Sequence, residues 1–214
     1  MNHTAKMHRL YTAGFTLLEI VMVLMISGLL LGGLIPLLSS QIESQRINET
    51  RKQMNEIKEA LLGYSVINGK LPCPAPTTDP NNPEYGEAAS TCVVPASDGY
   101  LPWKALGISD TDAWGGKWLY RVQSNFASSV PFTLTTVSST LQIENSAGIT
   151  ITSSSERPIA IVFSTGKNLI ADGKNADFDA TYQSDVPNQN FDDFVTWISK
   201  PVLVNRMVAA GKLP

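Results

Sequence analysis

Three groups of residues in this chain have types and spacings that bear on chemistry. A single carboxylate, Glu19, sits near the start of GFTLLEIVMVLMISGLLLGGLIPLL (residues 14–38), and it is the only charged side chain between Arg9 and Glu43. Asp172, Asp177, Asp179 and Asp185 crowd a glycine-containing stretch that also holds Asn175. Hard oxygen donors of this kind suit calcium, with backbone carbonyls completing the six to eight ligands it takes. Their spacing is not that of an EF-hand, and a solvated turn is the alternative. Cys73 and Cys92 flank a loop rich in Pro, Asn and Gly. No second Cys/His pair accompanies them, which argues against a zinc site. A disulfide formed outside the cytoplasm fits better, and closing this loop would constrain the unfolded chain by about 3 kcal/mol.

Other chemistry is disfavoured. The two histidines, His3 and His8, both precede Gly14, so a chain cut there loses the usual general base near neutral pH. No GxSxG sequence occurs. STGKN (residues 164–168) lacks the first glycine of a phosphate loop and the Ser/Thr after Lys167. Asp192-Asp193 reads as the entry to a helix or strand rather than as an acid/base pair. Arg46, Arg51 and Lys52 alternate with Glu43, Glu49 and Glu56, so no nucleic-acid-binding face is favoured. These features point away from an enzyme.

The elements that position these residues begin with the apolar run. Residues 20–38 carry no charge and as a helix would cover roughly 28 Å, close to a bilayer core. Lys6 and Arg9 precede the run without an acid, which orients the bulk of the chain away from the cytoplasm. A secretory signal peptide would place small residues after its apolar core; here Ala13 and Gly14 come before it. The expectation is a single-pass inner-membrane anchor with the C-terminal domain in the periplasm.

Gly14, then Phe15, Thr16, Leu17, Leu18 and Glu19, then the apolar run, resembles a type IV prepilin. The resemblance implies a leader over residues 1–14, cleaved after Gly14 by prepilin peptidase, and N-methylation of Phe15. It also implies that residues 15–38 form a transmembrane and filament-core helix, with Pro36 where many such proteins carry a helix-breaking proline. Residues 39–214 would be a periplasmic domain that includes the second half of that helix. Cleavage gives Phe15 a positive amine, and Glu19 of one subunit can then meet the amine of an axially staggered neighbour. A buried pair of this kind fixes register more than it adds stability. The local alternative is that Glu19 complements the positive end of its own helix.

Beyond the run, Ile47, Thr50, Met54, Ile57, Leu61 and Tyr64 recur at three and four residues, predicting an amphipathic helix laid on a sheet. Gly69 and Pro72 stop it. Asp112-Ala113-Trp114-Gly115-Gly116 reads as a turn. Strands are predicted over residues 118–122, 131–137, 141–144, 148–152, 158–164 and 194–199, in an antiparallel sheet with one wet face. Pro201 opens a short helix over residues 202–210, which Gly211 ends. GKLPCP, LPWKALGISDTDAWGGKWLYRV, IVFSTGKN, DDFVTWIS and RMVAAGKLP resemble one subgroup of pilin-like proteins. Major pilins usually close a loop near the C-terminus with their disulfide, whereas here the cysteines follow the long helix. Some pseudopilins bind calcium in a loop near the C-terminus, a further expectation for the aspartates.

The fold class expected is α+β, pilin-like, with a long N-terminal helix packed on an antiparallel sheet. The function implied is a structural subunit, a minor one, of a type IV pilus or a type II secretion pseudopilus. Its partners would be other pilin or pseudopilin subunits, prepilin peptidase and the inner membrane. The alternative is a binding module displayed on the filament, recognising DNA, a surface or an exported protein.

Overall fold

The computed structural model describes residues 14–92, 99–128, 132–137, 139–177 and 179–213; side chains of residues 31–38 lie outside this set. The leader through residue 13, with His3, Lys6, His8 and Arg9, and the Pro36 side chain are therefore not described. The elements run α1 (Leu17–Asn68), β1 (Gly99–Tyr100), α2 (Trp103–Leu106), β2 (Leu119–Val122), α3 (Ser124–Ala127), β3 (Gln142–Glu144), β4 (Pro158–Ser164), a 3-10 turn (Gly173–Ala176), β5 (Thr181–Gln183), β6 (Phe194–Ser199) and α4 (Lys200–Ala209). The chain divides into two compact units, residues 1–45 and 46–214, and α1 has residues in both.

In the first unit, α1 starts where Thr16 accepts the Glu19 N–H, at 3.1 Å on its carbonyl and 3.3 Å on its hydroxyl. Thr16-x-x-Glu19 has the spacing of a capping box, and the carboxylate lies in the first turn, where the helix dipole favours it. The membrane anchor expected from sequence is overturned: among the described residues no helix is long and apolar enough to cross a membrane. The apolar part of α1 with described side chains, residues 17–30, reaches about 21 Å, short of a hydrocarbon core of about 30 Å. From Ser39 the helix turns polar. The transmembrane first half and the single-pass inner-membrane placement with a periplasmic domain are both corrected on this ground.

The second unit is α+β with an antiparallel sheet, in the order β1-β2-β4-β6. Alternation along the strands sends side chains to opposite faces. Tyr120, Val122, Ala160, Val162, Phe194 and Ile198 meet Met54, Ile57 and Leu61 of α1 and Leu203 and Met207 of α4 in one core. The spacing of Thr50, Met54, Ile57 and Leu61, all buried, is the predicted stripe. Gly69 ends α1 at φ 72°, its N–H donating to the Ser65 carbonyl at 2.8 Å, as a left-handed helix stop does.

The other sheet face is not wet. Leu119, Ile161, Phe163, Val195 and Trp197 pack against Leu141, Ile143 and Tyr182, so β4 is buried at all seven positions. The covering layer is a separate two-stranded sheet in which β3 pairs β5 in parallel. Residues 148–152 contribute only an isolated bridge, Thr150 with Glu144, and the described part of 131–137 is a turn. The Ser/Thr content of these segments suggested a solvated face, but the small sheet spends its apolar side on the large one. Cys73 and Cys92 are disulfide-bonded, tying the loop after α1 against the first core.

Candidate functional site

Of the four predicted calcium ligands, the structure places Asp172 alone in a carboxylate cluster. Its partners there are Asp192 and Asp193, and the three side chains each present an oxygen within 4.8 Å of the others. Asp177 is exposed at the end of the 3-10 turn. Asp179 accepts the Thr181 N–H at 2.6 Å. Asp185 accepts the Ser146 N–H at 2.7 Å, and hydrogen bonds from Ser146 hold its carboxyl below the usual range. Asp179 thus holds its own turn and Asp185 ties two loops together, and among the described residues only Asp172 of the predicted four falls in a carboxylate cluster.

The cluster forms where β4 and the 3-10 turn meet the start of β6. Asp112, buried at the turn before β2, accepts Ser164 Oγ at 2.5 Å and the Trp114 and Gly116 N–H groups at 2.9 and 2.8 Å. Ser164 Oγ accepts the Gly166 N–H at 3.0 Å. Gly166 has φ 60°, and a Cβ there would lie 2.2 Å from the Asp192 carbonyl oxygen, so only glycine lets the two backbones approach. The Lys167 and Asn168 N–H groups then donate to Asp192 Oδ2 at 3.1 and 3.0 Å. The STGKN loop thus cradles an anion, and the anion is the chain's own carboxylate. Leu169, the next residue, is held at φ 61°, a strained conformation for a branched side chain.

The remaining bonds lock the aspartates to one another's backbone. Asp192 N–H donates to Asp172 Oδ2 and Asp172 N–H to Asp193 Oδ2, both at 2.9 Å. Buried Asn175 donates to Asp193 Oδ2 at 2.8 Å and accepts the Gln183 N–H at 2.8 Å, joining the 3-10 turn to β5. Asp193 is 2% exposed, yet its Oδ1 has no hydrogen-bond partner, and neither does the buried Asp192 Oδ1. Burial pushes Asp193 up to about 7, with the neighbouring Asp172 and Asp192 charges adding to it. Asp192 is raised too, first by burial. Two oxygens bound to one calcium at 2.3–2.6 Å lie at most about 5 Å apart, so the cluster fits the ion in donor type and spacing. The sequence reads Asp192 and Asp193 as a helix or strand entry and gives no sign that they join Asp172 in a cluster. They do form a strand entry, standing directly before β6.

The residues expected from sequence to serve cleavage and assembly lie in the other unit. Gly14 and Phe15 precede the helix, and Phe15 is 78% exposed. Twelve large apolar side chains between Phe15 and Leu30 are 46–84% exposed. No family model, no curated protein and no solved structure matches the chain.

Proposed function

We propose that the chain is a structural subunit of a type IV pilus or a type II secretion pseudopilus, not an enzyme. Prepilin peptidase cuts it after Gly14, and its N-terminal helix packs among those of other pilin or pseudopilin subunits. The observation that carries this reading is the apolar surface around residues 15–30, exposed on every side of the helix. Each such side chain contributes about 1.5–3 kcal/mol when fully covered. Neighbouring helices of the same kind supply that cover, and Glu19 then neutralises the Phe15 amine of an adjacent subunit. Losing one partner of a buried pair costs about 3–5 kcal/mol. Glu19→Ala should therefore be cleaved normally while its amount in sheared filaments falls sharply relative to the whole-cell level. Normal incorporation would return Glu19 to its capping role at the helix start.

The head of this subunit holds calcium between Asp172, Asp192 and Asp193. The orphaned oxygens Asp193 Oδ1 and Asp192 Oδ1 support this, since a buried carboxylate oxygen without a partner is costly. An ion seen only by the folded state raises stability by about 2.7 kcal/mol at a hundredfold excess over Kd. Melting temperature should rise with calcium in the native chain and stay flat in Asp193→Asn. No shift at millimolar calcium would leave the cluster a purely hydrogen-bonded one.

A further inference from the structure

We infer that the outer edge of β6 is a docking site for an extended segment of a partner polypeptide, which joins the main sheet as an antiparallel strand beside β6. The inference goes beyond the subunit reading above and does not depend on it.

The hydrogen bonds of the sheet show which backbone groups of β6 point outward. Along an antiparallel pair, residues that exchange N–H and carbonyl bonds alternate with residues that exchange none. Leu101 N–H donates to the Trp118 carbonyl at 3.0 Å, and Gln123 N–H to the Ile159 carbonyl at 2.8 Å. The backbone groups of Leu119 and Arg121 therefore face β4, and those of Ile161 and Phe163 face β2. Ala160, Val162 and Ser164 are left to bond Ile198, Thr196 and Phe194. The N–H and carbonyl groups of Val195 and Trp197 then point away from β4. None of these four groups has a hydrogen-bond partner among the described residues.

The chain closes its other sheet edges with its own residues. Tyr100 of β1 exchanges backbone bonds with Ala75 at 2.8 and 3.2 Å. The Asn175 side chain covers β5, accepting the Gln183 N–H at 2.8 Å and donating to its carbonyl at 3.1 Å. Ile151 N–H covers β3 by donating to the Ile143 carbonyl at 2.7 Å. Among the described residues, nothing does the same for β6.

The chemistry of the edge selects its occupant. Alternating N–H and carbonyl groups on residues about 6.8 Å apart match the backbone of another extended chain; a helix satisfies its own backbone groups internally. The strand sequence FVTWIS has no charge and no proline, which are devices that keep exposed edges from pairing. The irregularity in its ladder falls at the far end, between Pro158 and Ala160. Phe194 and Ile198 belong to the first core and Val195 and Trp197 flank the second, with Val195, Thr196 and Trp197 half-buried. An added strand therefore meets apolar or β-branched side chains on both of its faces. Its complement is an uncharged segment rich in β-branched residues, which pack well on a pleated, half-buried surface.

The test follows amide hydrogen exchange in the full chain in detergent, with a soluble peptide of alternating valine and threonine with lysine ends as the probe. In the free chain the Val195 and Trp197 amides should exchange fast and those of Thr196 and Ile198 slowly. The peptide should slow Val195 and Trp197 several-fold, whereas its fully N-methylated counterpart, with no N–H to donate, should not. Val195→Pro removes an outward N–H and no ladder bond, so it should keep the cooperative melting transition and abolish the protection at Trp197. Slow exchange at Val195 and Trp197 in the free chain would mean a closed edge and overturn the inference. Absence of protection by the peptide, or equal protection by its N-methylated form, would overturn it as well. Protection that rises with protein concentration alone would mean that a second copy occupies the edge, and would also overturn it. Exchange is read on the unassembled chain, so each of these failures leaves the subunit reading standing.

Discussion

Gly166→Ala offers a direct measurement of how tightly the acidic cluster is built. The substituted Cβ would lie 2.2 Å from the Asp192 carbonyl oxygen and 2.8 Å from its carbon. Backbone cannot swing aside as a flexible side-chain end can, so residues 166–168 must move away from Asp192. That motion breaks the Lys167 and Asn168 N–H bonds to Asp192 Oδ2. Hydrogen bonds to a charged group are worth about 1.5–3 kcal/mol each. The left-handed backbone adds roughly 1–2 kcal/mol for alanine, for a total of about 4–8 kcal/mol. Gly211→Ala is the control. It has φ 66° and open space around its Cβ, so only the left-handed cost of roughly 1–2 kcal/mol applies. Urea denaturation of the full chain should separate the two variants by at least about 2 kcal/mol, which is about 4–8 °C in Tm for a domain of this size. Gly166→Ala should also lose the calcium-dependent rise in Tm, whereas Gly211→Ala should keep it. Equal destabilisation of the two variants, with the calcium response intact in both, would refute the claim that close approach at Gly166 builds the cluster.

Two further outcomes are expected. Replacing Gly14 by a bulky residue should leave the leader attached after exposure to prepilin peptidase, and intact mass reads this directly; a mature N-terminus other than Phe15 would sink the prepilin reading. Replacing Cys73 and Cys92 together by serine should cost about 3 kcal/mol in urea, since the bond spans 19 positions and Cys73 is buried against the core; a loss under about 0.5 kcal/mol would mean the loop is held by its other contacts.

The sequence by itself determined the parts that nearest neighbours encode. The stripe from Ile47 to Leu61, the stop at Gly69, the Asp112–Gly116 turn, the strands at 119–122, 158–164 and 194–199, and the Pro201 helix start all follow from local periodicity, capping and turn chemistry. The cysteine pair was legible because only two cysteines exist. The Thr16-x-x-Glu19 capping spacing was equally available; from sequence, Glu19 reads as a partner for a neighbouring amine or as a complement to the positive end of its own helix, without the cap. Tertiary structure alone decided the rest. Residues 142–144 carry no mark that they pair in parallel with 181–183, a partner nearly forty residues away; that register is chosen by the apolar face of the main sheet needing cover. The same lack of a local signal hid the carboxylate cluster. Asp172 is five residues from Asp177 but meets Asp192 and Asp193 instead, because the turn after β4 and the entry to β6 are brought together by the β4–β6 ladder and by a glycine small enough to let them touch.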